Sequence, residues 1–240
     1  IIVLSGRLDS LRKQTSSRLH AEIVNSAPNN VNIHHLTSDD DSIFVQNSGH
    51  IFNYIAGEMC NNSDATLIVA KKDFTRMRQL NDLLIAVRNA NPEFIEFPVL
   101  IIDDECDEAG VDIGQNYDTS ANHFEIRRLI SNPNDGTIMR EITRPPALPG
   151  GEQIIEEDIR ECTGFLKTMY VGFTATPYAT VFQEMNESEE ENQLRGLDLY
   201  PRDYLLVLDD PPNYCGGEVF IGRYQIDDAQ GESELQLPEI

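Results

Sequence analysis

The chain has 240 residues, 40% hydrophobic and 25% charged, with 41 acidic against 18 basic residues and a formal net charge of −23. That composition is globular, with enough residues for one large or two small α/β domains, and it excludes a disordered polyanion. No apolar run approaches the roughly 20 residues needed to cross a bilayer, and the opening IIVLSG lacks the charged flank of a signal peptide.

Lysine occurs only at Lys13, Lys71, Lys72 and Lys167, and arginine supplies the other cations. Most of such a surface repels nucleic acid, whose binding is driven by cation–phosphate contacts. Any contact with DNA is therefore local, or made by other regions of a longer protein. Cys60, Cys106, Cys162 and Cys215 form no C-x-x-C pair, which argues for a reducing, cytoplasmic setting and against a zinc site.

In chain order, residues 1–4 read as a buried strand, as though the chain begins inside a domain. A helix is expected over residues 8–24, with Leu8, Leu11, Thr15, Leu19 and Ile23 as its core stripe. Residues 25–30 form a loop, 31–36 a short strand and 37–42 a polar loop. Residues 66–70 (TLIVA) are a second buried strand. Asp73 is placed to cap the next helix, whose stripe is Phe74, Met77, Leu80, Leu84 and Val87. Residues 99–102 are the third strand and 119–130 a helix, with Arg127 and Arg128 near its C-terminal end, where cations suit the dipole.

The stretch 131–151, rich in Pro, Gly and Asn, is expected as an exposed excursion, and 152–167 as a helix. Residues 170–174 and 204–208 are further strands, 187–192 (ESEEEN) a solvated acidic loop and 209–217 a turn. The last residues should be frayed. Apolar strands alternating with helices predict an α/β fold: a mostly parallel sheet with helices on both faces.

Two segments carry chemistry. Residues 98–110 read PVLIIDDECDEAG, an apolar strand ending in stacked carboxylates, the form of a Walker B strand. Residues 170–178 read YVGFTATPY, a short strand ending in Thr-Ala-Thr-Pro. In open α/β sheets ligands bind at the carboxyl ends of strands, where these acids are delivered. Asp104 is the candidate Mg²⁺ residue, and Glu105 the base that orients and deprotonates water. Asp107 is expected to reach toward Thr174 and Thr176 and to couple nucleotide state to the rest of the protein. No Gly-Lys-Ser or Gly-Lys-Thr occurs, so no residues for binding ATP are identified. Arg7, Arg12 and Lys13 after Ser5-Gly6, and Lys71, Lys72, Arg76 and Arg78, are either nucleic-acid contacts or solvated faces.

The segments LIIDDECDEAGVD, IRRLI, YVGFTATPYATVF and LYPRDYLLVLDDPPNYCGGEVF resemble, in order, the Z-one domain family. Its members carry an endonuclease name and are associated with superfamily-two helicase cores of restriction and phage-defence systems. The resemblance covers residues 1–223. It implies a RecA-like, P-loop NTPase type of sheet, incomplete at its N-terminus, within a single domain spanning 1–240. The helicase-like core is then about 1–182 and a family-specific extension about 183–240. It further implies a phosphate-binding loop upstream and a second RecA-like domain downstream, neither within these residues. Mg²⁺ and ATP are the implied cofactors, ATP only with that missing loop; DNA and restriction or defence-system subunits are the implied partners, and no membrane is. Three departures stand out: Thr180 replaces the family's usual Asn, 131–151 reads as an insertion, and Cys106 stands where Ala is commoner.

Three functions follow as expectations. The first is a fragment of a helicase-like, DNA-acting ATPase, not able to hydrolyse ATP alone. The second is a metal-dependent DNA endonuclease using Asp103, Asp104, Glu105 and Asp107. No Asp/Glu-x-Lys precedes any of the four lysines, so that reading rests on these acids alone. The third is a non-catalytic interaction module.

Overall fold

Buried β-branched and leucine residues in short runs favour strands packed on both faces, and five such runs form the sheet. In the computed structural model, residues 1–38, 65–109, 120–144, 154–176, 203–208, 223–227 and 232–236 are described. Strands β1 (Ile2–Ser5), β2 (Ile33–Thr37), β3 (Ala65–Lys71), β4 (Pro98–Asp104) and β7 (Lys167–Phe173) pair in the order β2-β3-β1-β4-β7. Every pairing among them is parallel. The protein is thus an α/β protein with a five-stranded parallel sheet.

Alternation along the strands creates two apolar faces. Ile2, Leu4, Ile68, Ala70 and Ile101 lie in one cluster with Met77, Leu80, Leu84 and Val87 of α2 (Phe74–Ala90) and Ile126 and Leu129 of α4 (Ala121–Ile130). Val3, Leu67 and Val69 face the other way. They pack with Leu19 at the end of α1 (Asp9–Leu19), and with Val24 at the end of a π-helical turn, His20–Val24. Helices therefore cover both faces.

The α2 stripe and its cap follow the sequence: Asp73 Oδ1 accepts from the Thr75 backbone N–H at 3.1 Å. Asp73→Ala should cost about 1 kcal/mol in a urea unfolding titration.

The α1 stripe follows the sequence only at Leu19, which packs on Val3, Leu67 and Val69. Leu8 and Leu11 are 63% and 43% exposed, and Ile23 is exposed too, whereas Arg12 and Ser16 are buried. Arg12 donates to Thr37 Oγ1 at 3.0 Å, and Ser16 Oγ lies 3.2 Å from His35 Nε2. Side-chain hydrogen bonds to β2 turn the polar side of α1 inward.

A second correction concerns residues 131–167. Among the described residues of the expected helix 152–167, residues 154–167, none is helical. Instead β5 (Thr137–Arg144) and β6 (Ile154–Glu161) make an antiparallel hairpin, pairing Arg140 with Asp158. Arg140 fastens it: its guanidinium lies 5.2 Å from the Phe74 ring centre and 5.0 Å from that of Phe124, and it bonds Asp158. Part of the expected excursion is therefore strand, because pairing across the intervening segment outweighs the local turn composition.

The chain divides into two compact units, Ile1–Pro201 and Arg202–Ile240. In the second, residues 204–208 form neither strand nor helix, against expectation. The tail expected to fray contains an antiparallel pair, β8 (Arg223–Asp227) and β9 (Glu232–Gln236). The expected loop at 187–192, the turn at 209–217, Pro177 and Thr180 lie outside the described residues.

Candidate functional site

The carboxyl end of β4 brings the acids to the sheet edge, and the period-two alternation of a strand then separates them. Asp103 turns to the face packed by α2 and α4 and is fully buried; Asp104 turns to the other side and is exposed. Lys72, just past the end of β3, is also fully buried, and its Nζ lies 2.9 Å from Asp103 Oδ1. Tyr170 on β7 donates its hydroxyl to Asp103 Oδ2 at 2.7 Å. Burial pushes the Asp103 carboxyl above its ordinary value despite Lys72 and Tyr170. Burial, followed by the charge on Asp103, also pushes Tyr170 up.

The same ammonium shapes the exposed turn. Lys72 Nζ donates to the backbone carbonyl of Asp104 at 2.5 Å and to that of Glu105. Glu105 has φ +56°, the only non-glycine residue in the left-handed region among the described residues. Its carbonyl also accepts from the Glu108 backbone N–H at 3.0 Å, opening the short helix α3 (Cys106–Ala109). Three donors on two successive carbonyls thus hold the chain at the point where Asp104 and Glu105 project.

Beneath that turn, Cys106 is buried against Gly172 of β7: a Cβ added at Gly172 would lie 2.8 Å from Cys106 Sγ. Burial, then nearby Asp103, pushes the Cys106 thiol up to about 11, which keeps it protonated and inert at neutral pH.

Asp107 leaves α3 toward the end of β7. Thr174 donates its hydroxyl to Asp107 Oδ1 at 2.6 Å, and the Thr176 hydroxyl donates to Oδ2. The Thr176 backbone N–H in turn donates to Thr174 Oγ1 at 2.9 Å. Burial works against the ionised Asp107, but the two hydroxyls, with its own backbone N–H and the Lys72 charge, more than offset it and hold its carboxyl below the usual range.

The structure therefore brings Asp107, Thr174 and Thr176 together and leaves Asp104 and Glu105 exposed on the adjoining turn. It corrects the four-acid cluster. Asp103 is committed to Lys72 and Tyr170 on the opposite face, and both Asp107 oxygens accept from threonines. Among the described residues no group of three His, Cys, Asp or Glu side chains could hold a metal ion. Mg²⁺ suits the remaining donors in one way only: it binds through one or two carboxylates and fills its shell with water and phosphate oxygens. Of the acids on this strand end, Asp104 is exposed and has neither the lysine and tyrosine partners of Asp103 nor the threonine partners of Asp107.

Two nucleic-acid candidates are also corrected. Arg12 and Lys72 are buried and cannot reach a phosphate backbone, and Lys71 pairs with Asp9 at 3.1 Å. The buried partners Lys72 and Tyr170 escape a reading of the sequence. The only signals are the second lysine of TLIVAKK, which inverts the strand's apolar pattern, and a tyrosine inside an apolar strand.

Compared with protein-family models, curated proteins and solved structures, the chain has no significant match to any of them. Its class therefore rests on its own architecture, an α/β parallel-sheet protein with acids at the carboxyl end of a central strand.

Proposed function

We propose that this chain is the Walker B-bearing part of a helicase-like, DNA-acting ATPase of a restriction or phage-defence system, with a RecA-like sheet. One observation carries the reading. The strand ending in Asp-Asp-Glu-Cys-Asp and the strand leading to Thr-Ala-Thr are parallel neighbours, and Asp107 joins their ends through Thr174 and Thr176.

In this reading Asp104 would hold Mg²⁺, which would supply neutralisation of charge on the phosphate oxygens. Glu105 accepts the proton of the attacking water, and it is free to do so because it is exposed. Lys72 fixes the backbone from which both side chains project, so their separation is set before any ligand arrives. The Asp107–threonine bonds tie the acidic turn to the end of β7 and would transmit a shift of one to the other.

The surface of β7 supports an incomplete sheet. Among the described residues β7 pairs on one side only, and Met169 and Phe173 on the face away from α2 and α4 are 62% and 52% exposed. A strand and helix carrying the phosphate-binding loop would pair with that edge and cover those side chains.

The test uses a polypeptide in which such a loop is joined to this chain. Glu105→Gln should abolish ATP hydrolysis while fluorescent ATP-analogue binding persists. Retained turnover sinks the assignment of Glu105.

A further inference from the structure

Apart from the acidic turn, the described surface carries a second concentration of charged side chains, in which cations outnumber acids by four to three. A cavity of about 300 Å³ opens between the start of α2 and the inner face of the β5–β6 hairpin. Four arginines line it: Arg78, Arg140, Arg144 and Arg160. The whole chain has 18 cationic residues against 41 acids, so four guanidiniums at one opening are a marked local reversal.

Three carboxylates, Glu156, Glu157 and Asp158, also line the cavity, and they leave the four arginines one charge in excess. Arg140 and Arg160 share the single carboxylate of Asp158, at 3.0 and 2.6 Å. Arg144 takes Glu156 at 2.8 Å, with both side chains largely in solvent, where such a pair exchanges readily with other anions. Arg78 makes no ion pair among the described residues. The hairpin wall is held by Arg140, packed between Phe74 and Phe124, so the guanidiniums of the cavity sit on a fixed frame. Phe74 and Arg78 belong to the first two turns of α2, which leaves the carboxyl end of β3. In a parallel sheet that is also the end at which β4 delivers Asp104.

We infer that this cavity is a binding site for a phosphate group, with Arg78 as its open ligand and Arg144 and Arg160 at its rim. Guanidinium forks match phosphate oxygens two at a time, which is why arginine rather than lysine suits the task. The phosphate can come from a nucleic-acid backbone or from free phosphate. The inference is independent of ATP hydrolysis at Glu105, since it uses other residues on other elements.

The experiment uses the 240-residue chain. A fluorescein-labelled single-stranded oligodeoxynucleotide is titrated by anisotropy, and inorganic phosphate by calorimetry. Phenylglyoxal modification of Arg78, read by mass spectrometry, runs in parallel. Oligonucleotide binding should weaken about tenfold in Arg78→Ala, with the salt slope falling by about one. The oligonucleotide should also protect Arg78 from phenylglyoxal in the unaltered protein. Arg78→Lys should recover only part of the loss. That pattern assigns a nucleic-acid backbone; equal Arg78-dependence for inorganic phosphate with no gain from the oligonucleotide assigns free phosphate. Neither ligand binding, or binding and protection indifferent to Arg78, overturns the site.

Discussion

Lys72→Met should destabilise the protein by about 3–5 kcal/mol at neutral pH, because it leaves the fully buried Asp103 carboxylate without its counter-charge. The effect should depend on pH in a definite direction. Asp103 already has a folded-state pKa above the ordinary 3.8. A raised pKa means that the stability this group contributes is fully present below about 3.8. It is lost as pH rises through the folded value. Removing Lys72 lifts that folded value further and so extends the loss. The variant should approach the parent in stability near pH 4 and fall away from it toward neutrality. Urea titrations at several pH values measure this. A pH-independent deficit would mean that the lysine acts through packing alone. Adding Asp103→Leu to the variant should restore part of the loss at neutral pH, because no buried charge remains. The site should respond as well: without the ammonium on the Asp104 and Glu105 carbonyls, the turn that projects both acids loses two of its three donors.

Gly172→Ala should cost about 1–3 kcal/mol, through overpacking against Cys106. The new methyl would lie 2.8 Å from Cys106 Sγ and 3.1 Å from its Cβ, and the sulfur, on the residue after Glu105, is buried with little room to turn. Cys106→Ala removes the closer contact. In the Gly172→Ala background it should therefore stabilise, whereas alone it should destabilise by leaving a small void. Opposite signs in the two backgrounds make a strong coupling in a double-mutant cycle. Additive effects would show that the collision is relieved elsewhere. The choice of glycine at this position thus follows from what lies across the strand ends rather than from any need for unusual backbone angles.

Much of the sheet could be read directly. TLIVA and VLII, and all but the last residue of YVGFT, are short apolar runs that became strands of the parallel sheet. The α2 stripe and its Asp73 cap were equally legible, since both depend on spacing within a dozen residues. The failures share one cause. The α1 stripe of Leu8 and Leu11 is apolar at the right spacing, yet Arg12 and Ser16 take the inner side because β2 offers them hydrogen bonds. The segment IIEEDIRE could be helix or strand by periodicity alone. Its pairing with Thr137–Arg144 and the seat of Arg140 between two phenylalanines decide for the strand.

By itself, the amino-acid order determined an α/β protein whose Asp-Asp-Glu-Cys-Asp run stands at the carboxyl end of a buried strand. Hydrophobic periodicity and the abrupt change to acids are local properties, and local properties survive translation into sequence. Only the tertiary structure decided which acid is which. Asp103 is withdrawn to Lys72 and Tyr170, which leaves Asp104 and Glu105 open to solvent, while Asp107 takes the threonine partners that the order of the two motifs already suggested. Those assignments depend on strand order and register. They bring Asp103 to Tyr170, 67 positions away in the chain, a distance over which no pattern of neighbours carries information.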